Sequence, residues 1–351
     1  MVPVVDVSRR LARHRQAFLE SVGYVLDSGS LLLGAELENL ERAFAQFAGG
    51  AECVGVASGA AALQLALAAL GVGPGDEVIV PGMTAVPTAS AVCAVGATPV
   101  FVDVDLATAE IDPDRVAAVV SARTKAVIGV HLYGRPFDVT ALAEAVQVPI
   151  IEDCAQAHGA VDRVTGVVAA YSFYPTKNLG GIGDGGAVVT DDVEMAQRVR
   201  RLRAHGASAQ YVHTEISQNF RMSEIEATWL NLTLPFLAAD TQRRREIAAA
   251  YRAAAPHLPW QSDHERHVHH LAVVRSSDRD ALRAHLAAHD VGSAVHYPLA
   301  LTQQPAYAHF TTAACPNAEA WAAGCVSVPM FAELSDAEVE AVCLALSGAP
   351  E

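Results

Sequence analysis

Lys177 lies between an apolar run and a glycine-rich loop, in the stretch SFYPTKNLGGIGDGGAVV that covers Ser172 to Val189. A lysine amine is a nucleophile only when it is deprotonated, and burial beside apolar groups favours the neutral form. Phe173, Tyr174 and Pro175 could supply such surroundings, and the glycines allow close approach of the backbone to a ligand. Taken alone, a lysine is more often a solvated surface residue, so the interpretation depends on its companions.

The stretch VASGAAAL, Val56 to Leu63, reads as the end of a strand, a turn of small residues and the start of a helix. The backbone N–H groups of Gly59 and Ala60, with the Ser58 hydroxyl as a further donor, would bind an anion at the helix N-terminus. The same residues could also form an ordinary tight turn.

The stretch IIEDCAQAHGA, Ile150 to Ala160, places Asp153 at the end of an apolar strand. A buried carboxylate is costly unless a cation or several donors meet it, and a protonated heterocyclic nitrogen would do so. Asp153 could instead be a structural carboxylate that caps the next segment. An anion site, a buried carboxylate and a desolvated lysine together match the phosphate, the ring nitrogen and the aldehyde of pyridoxal 5′-phosphate (PLP).

The elements that must position these groups alternate along the chain. The first 50 residues read as two helical segments, and from Glu52 onward short apolar runs alternate with helical segments. This alternation predicts an α/β fold with a mostly parallel sheet, in which ligands bind beyond the carboxyl ends of the strands. We place a large domain at residues 1–237 and a small α/β C-terminal domain at residues 238–351.

Composition limits the remaining functions. The 351 residues carry a formal net charge of −15 without a basic block, which argues against nucleic acid as a partner. We expect no secretory signal and no membrane span, and six cysteines without a CxxC pair indicate reduced thiols and a cytoplasmic location. The histidines of HERHVHH, His264 to His270, lack a recognised ligand spacing, so we predict a solvated loop and no metal site.

The chain resembles the DegT/StrS-type sugar aminotransferases, which are PLP-dependent enzymes of fold-type I. The resemblance extends almost from end to end. It implies a fold-type I large domain with a mostly parallel mixed sheet, a small α/β C-terminal domain, and transfer of an amino group from L-glutamate or L-glutamine to a keto-sugar nucleotide. The matching blocks are ASGAAALQLAL, GVGPGDEVIVPGMT, GATPVFVDVD, RTKAVIGVHLYGRP, IEDCAQAHGA, SFYPTKNLGGIGDGGAVVT, QNFRMSEIEA and AVHYPLALTQQPAY.

The resemblance also implies roles for single residues. Lys177 would hold the cofactor as an imine and shuttle a proton, Asp153 would pair with the ring N–H, and Gln156 would lie beside the ring hydroxyl. The other predicted site residues are Ser172, Ser58, Gly59 and Ala60 at the phosphate, Asn219 reaching the phosphate site of the neighbouring subunit of a homodimer, and His296, Tyr297 and His158 in the substrate pocket. His296 and Tyr297 could instead serve packing of the small domain.

Several departures from the family pattern leave the substrate open. Ala60 replaces a threonine, Ala85 stands where the family usually has an aromatic residue, and Ala300 and Thr302 replace a proline and a histidine. The loop NLGGIGDGGA is similar to that of family members that act at C3 of 3-keto-6-deoxyhexose nucleotides, so the resemblance favours amination at C3, in amino-sugar biosynthesis for an antibiotic or a polysaccharide. A C4 keto-sugar nucleotide and a keto-cyclitol are alternatives, as is a non-catalytic PLP-binding regulatory protein. A dinucleotide-binding protein is disfavoured because no GxGxxG follows the first strand.

Overall fold

The protein, described here from a computed structural model that covers residues 1–311 and 313–350, begins with two helices. From Glu52 onward strands and helices alternate, as the periodicity predicts. The helices are α1 (Val7–Ser28), α2 (Ala35–Ala48), α3 (Gly59–Ala69), α4 (Val86–Ala94), α5 (Pro113–Val119), α6 (Val139–Ala145), α7 (Val193–Arg203), α8 (Glu224–Thr233), α9 (Leu237–Ala254), α10 (Arg279–Ala288), α11 (Pro316–Gly324) and α12 (Asp336–Ser347). Short 3₁₀ segments cover Leu132–Gly134, Leu234–Phe236, Leu301–Gln303 and Ala308–Phe310.

Seven strands form a central sheet. With the strands numbered along the chain, their order in the sheet is β1–β7–β6–β5–β4–β2–β3. The strands are β1 (Glu52–Val56), β2 (Glu77–Pro81), β3 (Thr98–Val102), β4 (Thr124–Val130), β5 (Ile150–Asp153), β6 (Val168–Ser172), β7 (Gly186–Thr190), β8 (Ala207–Ala209), β9 (Val212–His213), β10 (Ala272–Arg275) and β11 (Cys325–Val328). Strand β7 runs antiparallel to β1 and β6, and the other neighbours in this sheet are parallel. The predicted mostly parallel mixed sheet of a fold-type I enzyme is confirmed.

Helices cover both faces of the central sheet, which explains why its strands are apolar nearly throughout. Along β7, Val188 packs into the cluster that contains α3, whereas Ala187 and Val189 pack into the cluster that contains α2 and α8. This is the period-two alternation of a strand with two buried faces. Strand β6 has a weak sequence signal, because VAAYS is short and alanine is a weak strand former.

The C-terminal part of the chain has a core of its own, formed by α9, α10, α12 and the antiparallel pair β10–β11. Leu237, near which we place the domain boundary, is the first residue of α9. The start of the chain also contacts this part, since the Val2 N–H donates a 2.7 Å hydrogen bond to the Asp290 carbonyl. The division into two domains stays a prediction.

The histidine-rich stretch is not the solvated loop that we predicted. His267, His269 and His270 are 2%, 5% and 6% exposed. The rings of His267 and His269 stack with centroids 3.8 Å apart, and burial lowers the pKa of both side chains. The prediction was wrong because this stretch packs inside the protein, and the His267 ring finds partners there: its Nδ1 accepts the His269 N–H, and its Nε2 lies 3.2 Å from Gln261 Oε1.

None of the helices in the described part of the chain combines the length and the apolar content that crossing a bilayer requires.

The antiparallel pairing of β7 with β1 and β6 brings the ends of these three strands together on one side of the sheet. Gly186 is paired with Val56 on one side and with Ser172 on the other. A Cβ atom on Gly186 would lie 2.4 Å from the Ser58 carbonyl carbon and oxygen and 2.7 Å from the Gly59 nitrogen. This close approach requires glycine, and it sets the turn before α3 directly against β7.

We expect Gly186→Ala to lower the free energy of unfolding by about 1–3 kcal/mol, because the added methyl group meets backbone that cannot move aside. Gly23→Ala in α1 is the matched control, since a Cβ atom there meets nothing within 4 Å. The control should be stabilising by about 0.5–1 kcal/mol, as alanine is the better helix former. Urea unfolding of both variants measures the difference, and equal midpoints would contradict the argument.

Candidate active site

A cavity of about 370 Å³ lies where the carboxyl ends of the central strands meet the N-termini of α3 and α4. Two larger grooves, of about 590 and 620 Å³, contain none of the predicted site residues among their described lining. The cavity brings together most of the residues predicted for the cofactor. Its lining includes Ser58, Gly59, Ala60, Thr84, Ala85, Pro87, Thr88, Val130, Asp153, Ala155, Gln156, Ser172, Tyr174, Lys177 and Asp184.

One end of the cavity is formed by the start of α3. Ser58 is the N-cap of this helix, and its Oγ accepts a 3.1 Å hydrogen bond from the Ala61 N–H. The Gly59 and Ala60 N–H groups belong to the first helical turn, where no intrahelical acceptor is available. Ser172 lies against this turn, because a Cβ atom on Gly59 would be 2.6 Å from the Ser172 Cβ. Backbone N–H groups, two hydroxyls and the helix dipole therefore converge as a phosphate group requires.

Asp153 ends β5 and is only 5% exposed. Its Oδ1 accepts the Ala155 N–H at 3.1 Å, and its Oδ2 accepts the Thr88 hydroxyl at 2.9 Å. Burial raises the pKa of Asp153, although these two donors and the charge on Lys177 act in the opposite direction. A buried carboxylate with two neutral donors still favours a cation beside it, and a protonated ring nitrogen meets that need.

Lys177 lies in the turn that follows β6, where its N–H donates a 2.8 Å hydrogen bond to the Tyr174 carbonyl. Burial lowers the pKa of Lys177 to about 8, while the negative charge of Asp153 partly opposes this shift. A substantial fraction of the amine is therefore neutral near pH 8, as a nucleophile must be. Of the apolar run before Lys177, Tyr174 lines the same cavity, whereas Phe173 packs into a hydrophobic cluster.

Gln156 connects the cavity to the C-terminal part of the chain. Its Oε1 accepts the Tyr133 N–H at 2.6 Å, and its Nε2 donates to the Tyr297 hydroxyl at 3.0 Å. The Tyr133 hydroxyl donates to the His296 carbonyl, and His296 Nδ1 lies 2.9 Å from Ser327 Oγ. Tyr297 thus contacts a lining residue, although neither it nor His296 is among the residues that line the cavity.

Two predicted site residues lie elsewhere in this chain. His158 is fully buried outside the cavity, with its ring centroid 5.6 Å from that of Tyr171 and 5.8 Å from that of Phe173. Burial and the charge on Lys177 lower the pKa of His158 to about 3, so the ring is neutral. Asn219 is exposed, and its Oδ1 accepts a 2.9 Å hydrogen bond from Arg221 Nε.

Thr84, Thr88 and Asp184 line the cavity but are absent from the predicted site. The two threonines could have been predicted from the sequence, because PGMTAVPT follows a buried strand. Polar residues at the carboxyl end of a parallel strand face the ligand. Their spacing of four residues across the start of a helix brings the hydroxyl oxygens to 3.2 Å. The sequence holds no comparable signal for Asp184, whose position depends on the path of the glycine-rich loop.

The residues present fit PLP. The anion site suits the phosphate, the buried Asp153 suits the protonated ring nitrogen, and the largely desolvated Lys177 amine suits the aldehyde. These three groups share one cavity, as the sequence predicts. Together the fold and the site define a PLP-dependent enzyme of fold-type I.

Comparison with known proteins identifies the family. The sequence model of the DegT/DnrJ/EryC1/StrS aminotransferase family matches residues 13–347, and the chain belongs to this family of PLP-dependent aminotransferases. The chain is 42% identical over 353 residues to UDP-N-acetyl-3-dehydro-alpha-D-glucosamine 3-aminotransferase of Acidithiobacillus ferrooxidans, with 96% of this chain and 95% of the relative covered. It is 40% identical over 359 residues to dTDP-3-amino-3,6-dideoxy-alpha-D-galactopyranose transaminase of Aneurinibacillus thermoaerophilus, with 99% of each covered.

A solved structure of DesV from S. venezuelae in complex with a ketimine intermediate matches with a TM-score of 0.95 and 41% identity. The match covers 99% of this chain and 97% of the DesV chain. The family, the fold and the PLP dependence predicted from the sequence are confirmed. No comparison tests the roles of single residues, so those roles stay predictions.

We expect the Lys177 amine of the apoenzyme to react with trinitrobenzenesulfonate with a half-maximal rate near pH 8, the value to which burial lowers its pKa. Asp153→Asn should move this midpoint to lower pH, because it removes the negative charge that favours the protonated amine. Labelling of Lys177 is followed by mass spectrometry. Glu144→Gln on the exposed face of α6 is the control and should leave the midpoint unchanged. An unchanged midpoint in Asp153→Asn would show that this charge does not act on Lys177, and a higher midpoint would contradict the expected direction.

Proposed function

We propose that the protein transfers an amino group from L-glutamate or L-glutamine to C3 of a keto-sugar nucleotide. The observation that carries this proposal is the cavity in which a lysine amine of lowered pKa, a buried carboxylate and the N-terminus of a helix converge. Two relatives that match over nearly their full length are named for transamination at C3 of a UDP- or a dTDP-linked sugar. Their names support C3 over C4 and a sugar nucleotide over a keto-cyclitol.

Bound PLP supplies an electron sink for the bond that breaks at the amino-bearing carbon. Asp153 keeps a negative charge beside the ring nitrogen and so favours its protonated form. The residues Ser58, Gly59, Ala60 and Ser172 hold the phosphate, and Gln156 orients the ring from the side of its hydroxyl. Lys177, with a pKa lowered to about 8, accepts and returns a proton at its Nζ near neutral pH.

His296 and Tyr297 are proposed to bind the sugar from the C-terminal side of the site. The Tyr297 hydroxyl already contacts Gln156, and burial raises its pKa to about 12, so it remains a neutral donor at working pH. His158 is also proposed to support substrate binding. Because it is buried and does not line the cavity, it would act through its neighbours and not by direct contact. It keeps a neutral ring packed beside the strand that carries Ser172.

The active site is proposed to be shared between two subunits of a homodimer. Asn219 is exposed and is not among the residues that line the cavity of its own chain. The same region presents Tyr211, Val212 and Ile216 to solvent, with exposures of 88%, 53% and 103%. Exposed apolar side chains on one projecting segment are typical of a protein interface, which supports the proposal that this segment reaches a second copy.

A cytoplasmic location and a role in amino-sugar biosynthesis for an antibiotic or a polysaccharide belong to the same proposal. The six cysteines are free in the structure, which is consistent with a reducing compartment. Sugar nucleotides are charged metabolites that such an enzyme would meet there.

A single-turnover experiment tests the reaction and the carbon. The holoenzyme is converted with glutamate, or else glutamine, to its amino-carrying form, the donor is removed, and dTDP-4-keto-6-deoxyglucose is added with and without a 3,4-ketoisomerase. We expect the absorbance of the lysine-bound cofactor to return only with the isomerase, because only then is a 3-keto sugar present. UDP-N-acetyl-3-dehydroglucosamine, added separately, tests the other nucleotide.

Return of the absorbance without the isomerase would establish C4 chemistry instead. Return with scyllo-inosose alone would favour a keto-cyclitol. A protein that binds PLP but accepts no amino group from either donor would be the non-catalytic regulatory alternative, and the proposed reaction would then be rejected.

We expect subunit mixing to reveal the role of Asn219. Lys177→Ala and Asn219→Ala should each abolish or strongly reduce transfer when assayed alone. After unfolding and refolding as an equal mixture, about a quarter of the sites should be intact, because half of the dimers are mixed and each has one complete site. Lys177→Ala mixed with Lys177→Arg is the control without recovery. No recovery in the first mixture would place Asn219 in the site of its own chain or outside any site.

A further inference from the structure

We propose that Arg10 of α1 is a positioning residue for Lys177, and that it holds the main chain of the catalytic turn from behind. The inference rests on the proposed function of Lys177. It concerns a residue that lies 167 positions away in the chain and that the motif analysis does not single out.

The guanidinium group of Arg10 donates to two carbonyl groups of the same turn. Its Nη1 donates a 3.0 Å hydrogen bond to the Lys177 carbonyl, and its Nη2 donates to the Pro175 carbonyl. The turn between these residues is otherwise closed by the Lys177 N–H, which is bonded to the Tyr174 carbonyl. A rigid planar fork that spans two acceptors fixes both the position and the direction of this short segment.

The turn leaves a slot for this side chain. A Cβ atom on Gly180 would lie 2.4 Å from Arg10 Nη2 and 2.3 Å from the Pro175 carbonyl oxygen. The Gly180 carbonyl accepts a 2.9 Å hydrogen bond from Trp229 Nε1 of α8. The chain on the far side of Lys177 is therefore held as well, and Arg10 fills the space between the two anchored ends.

Arg10 is a cation whose direct partners are carbonyl groups. The closest charges that favour its protonated form belong to Glu333 and Asp240, neither of which is hydrogen-bonded to it, and its Nε is buried without a partner. Burying a charge without a carboxylate partner is costly. An apolar residue at this position could attach α1 without the cost of burying a charge. The two hydrogen bonds from the guanidinium group therefore point to a role beyond attachment of the helix.

The neighbours of Arg10 on α1 contact other regions. Arg9 makes two 2.7 Å hydrogen bonds to the carboxylate of Glu338 on α12, and Arg13 lies 3.0 Å from Asp240 on α9. Arg10 alone of these three reaches the catalytic turn. Helix α1 thus connects the backbone of Lys177 to the C-terminal part of the chain, and Arg13 offers a matched control on the same helix.

Hydrogen exchange of the holoenzyme tests the proposal. Arg10→Lys keeps the positive charge but cannot span two carbonyls, and we expect amides in the segment 173–181 to exchange at least about tenfold faster. Arg13→Lys should leave this segment unchanged, and the amides of β7 should exchange at the wild-type rate in both variants. The rate at which added PLP becomes fixed to Lys177 of the apoenzyme, trapped with borohydride, should fall only in Arg10→Lys.

Unchanged exchange in segment 173–181 of Arg10→Lys would overturn the proposal. Faster exchange throughout the protein, including β7, would overturn it as well, because Arg10 would then serve general stability. Both readouts require no sugar substrate, so they remain decisive if the proposed substrate is wrong. If PLP never becomes fixed to Lys177 in the wild-type protein, the proposed function is wrong. The exchange measurement would still show whether Arg10 holds the turn in place.

Discussion

The site depends on an electrostatic conflict between two buried groups. Burial favours the neutral form of both Asp153 and Lys177, whereas each charge stabilises the other. Water would relieve the conflict by solvating both charges, but the cavity walls are largely apolar, and Thr88 and the Ala155 N–H satisfy only the carboxylate. The outcome is a Lys177 amine with a pKa of about 8, in the same cavity as a carboxylate that favours a positive ring nitrogen. The surrounding elements hold both groups at one cavity, where the charge of each shifts the pKa of the other.

Much of this arrangement could be predicted because the chemistry follows local rules. Ser58 precedes a helix and Asp153 follows an apolar strand, and in a parallel sheet both ends meet at one edge. The central sheet and the helices on its two faces follow from hydrophobic periodicity in the same way. The short strand VAAYS carried no such signal, because alanine does not distinguish a strand from a turn.

Contacts between distant segments could not be predicted. Arg10 and Lys177 meet because α1 packs beside α8, and no sequence pattern records that packing. The buried pair His267 and His269 escaped prediction for a similar reason, since the two rings stack on each other and the partners of the His267 ring nitrogens are Gln261 and the His269 backbone. Sequence patterns report which face of an element is apolar, whereas the burial of a polar group depends on the tertiary partners that satisfy it.

Among the described strands of the central sheet, β7 alone runs against its neighbours. A parallel strand in its place would need a long crossover after β6. With the reversal, the segment that carries Lys177 leaves the sheet at Ser172 and returns at Gly186, and these two residues are paired across adjacent strands. Loops with fixed ends tolerate changes in length and sequence. In this segment, however, a Cβ atom on Gly180 or Gly186 would lie within about 2.4 Å of another atom. Its path is therefore constrained along its length and not only at its two ends, so the loop that carries Lys177 has little freedom to change in sequence.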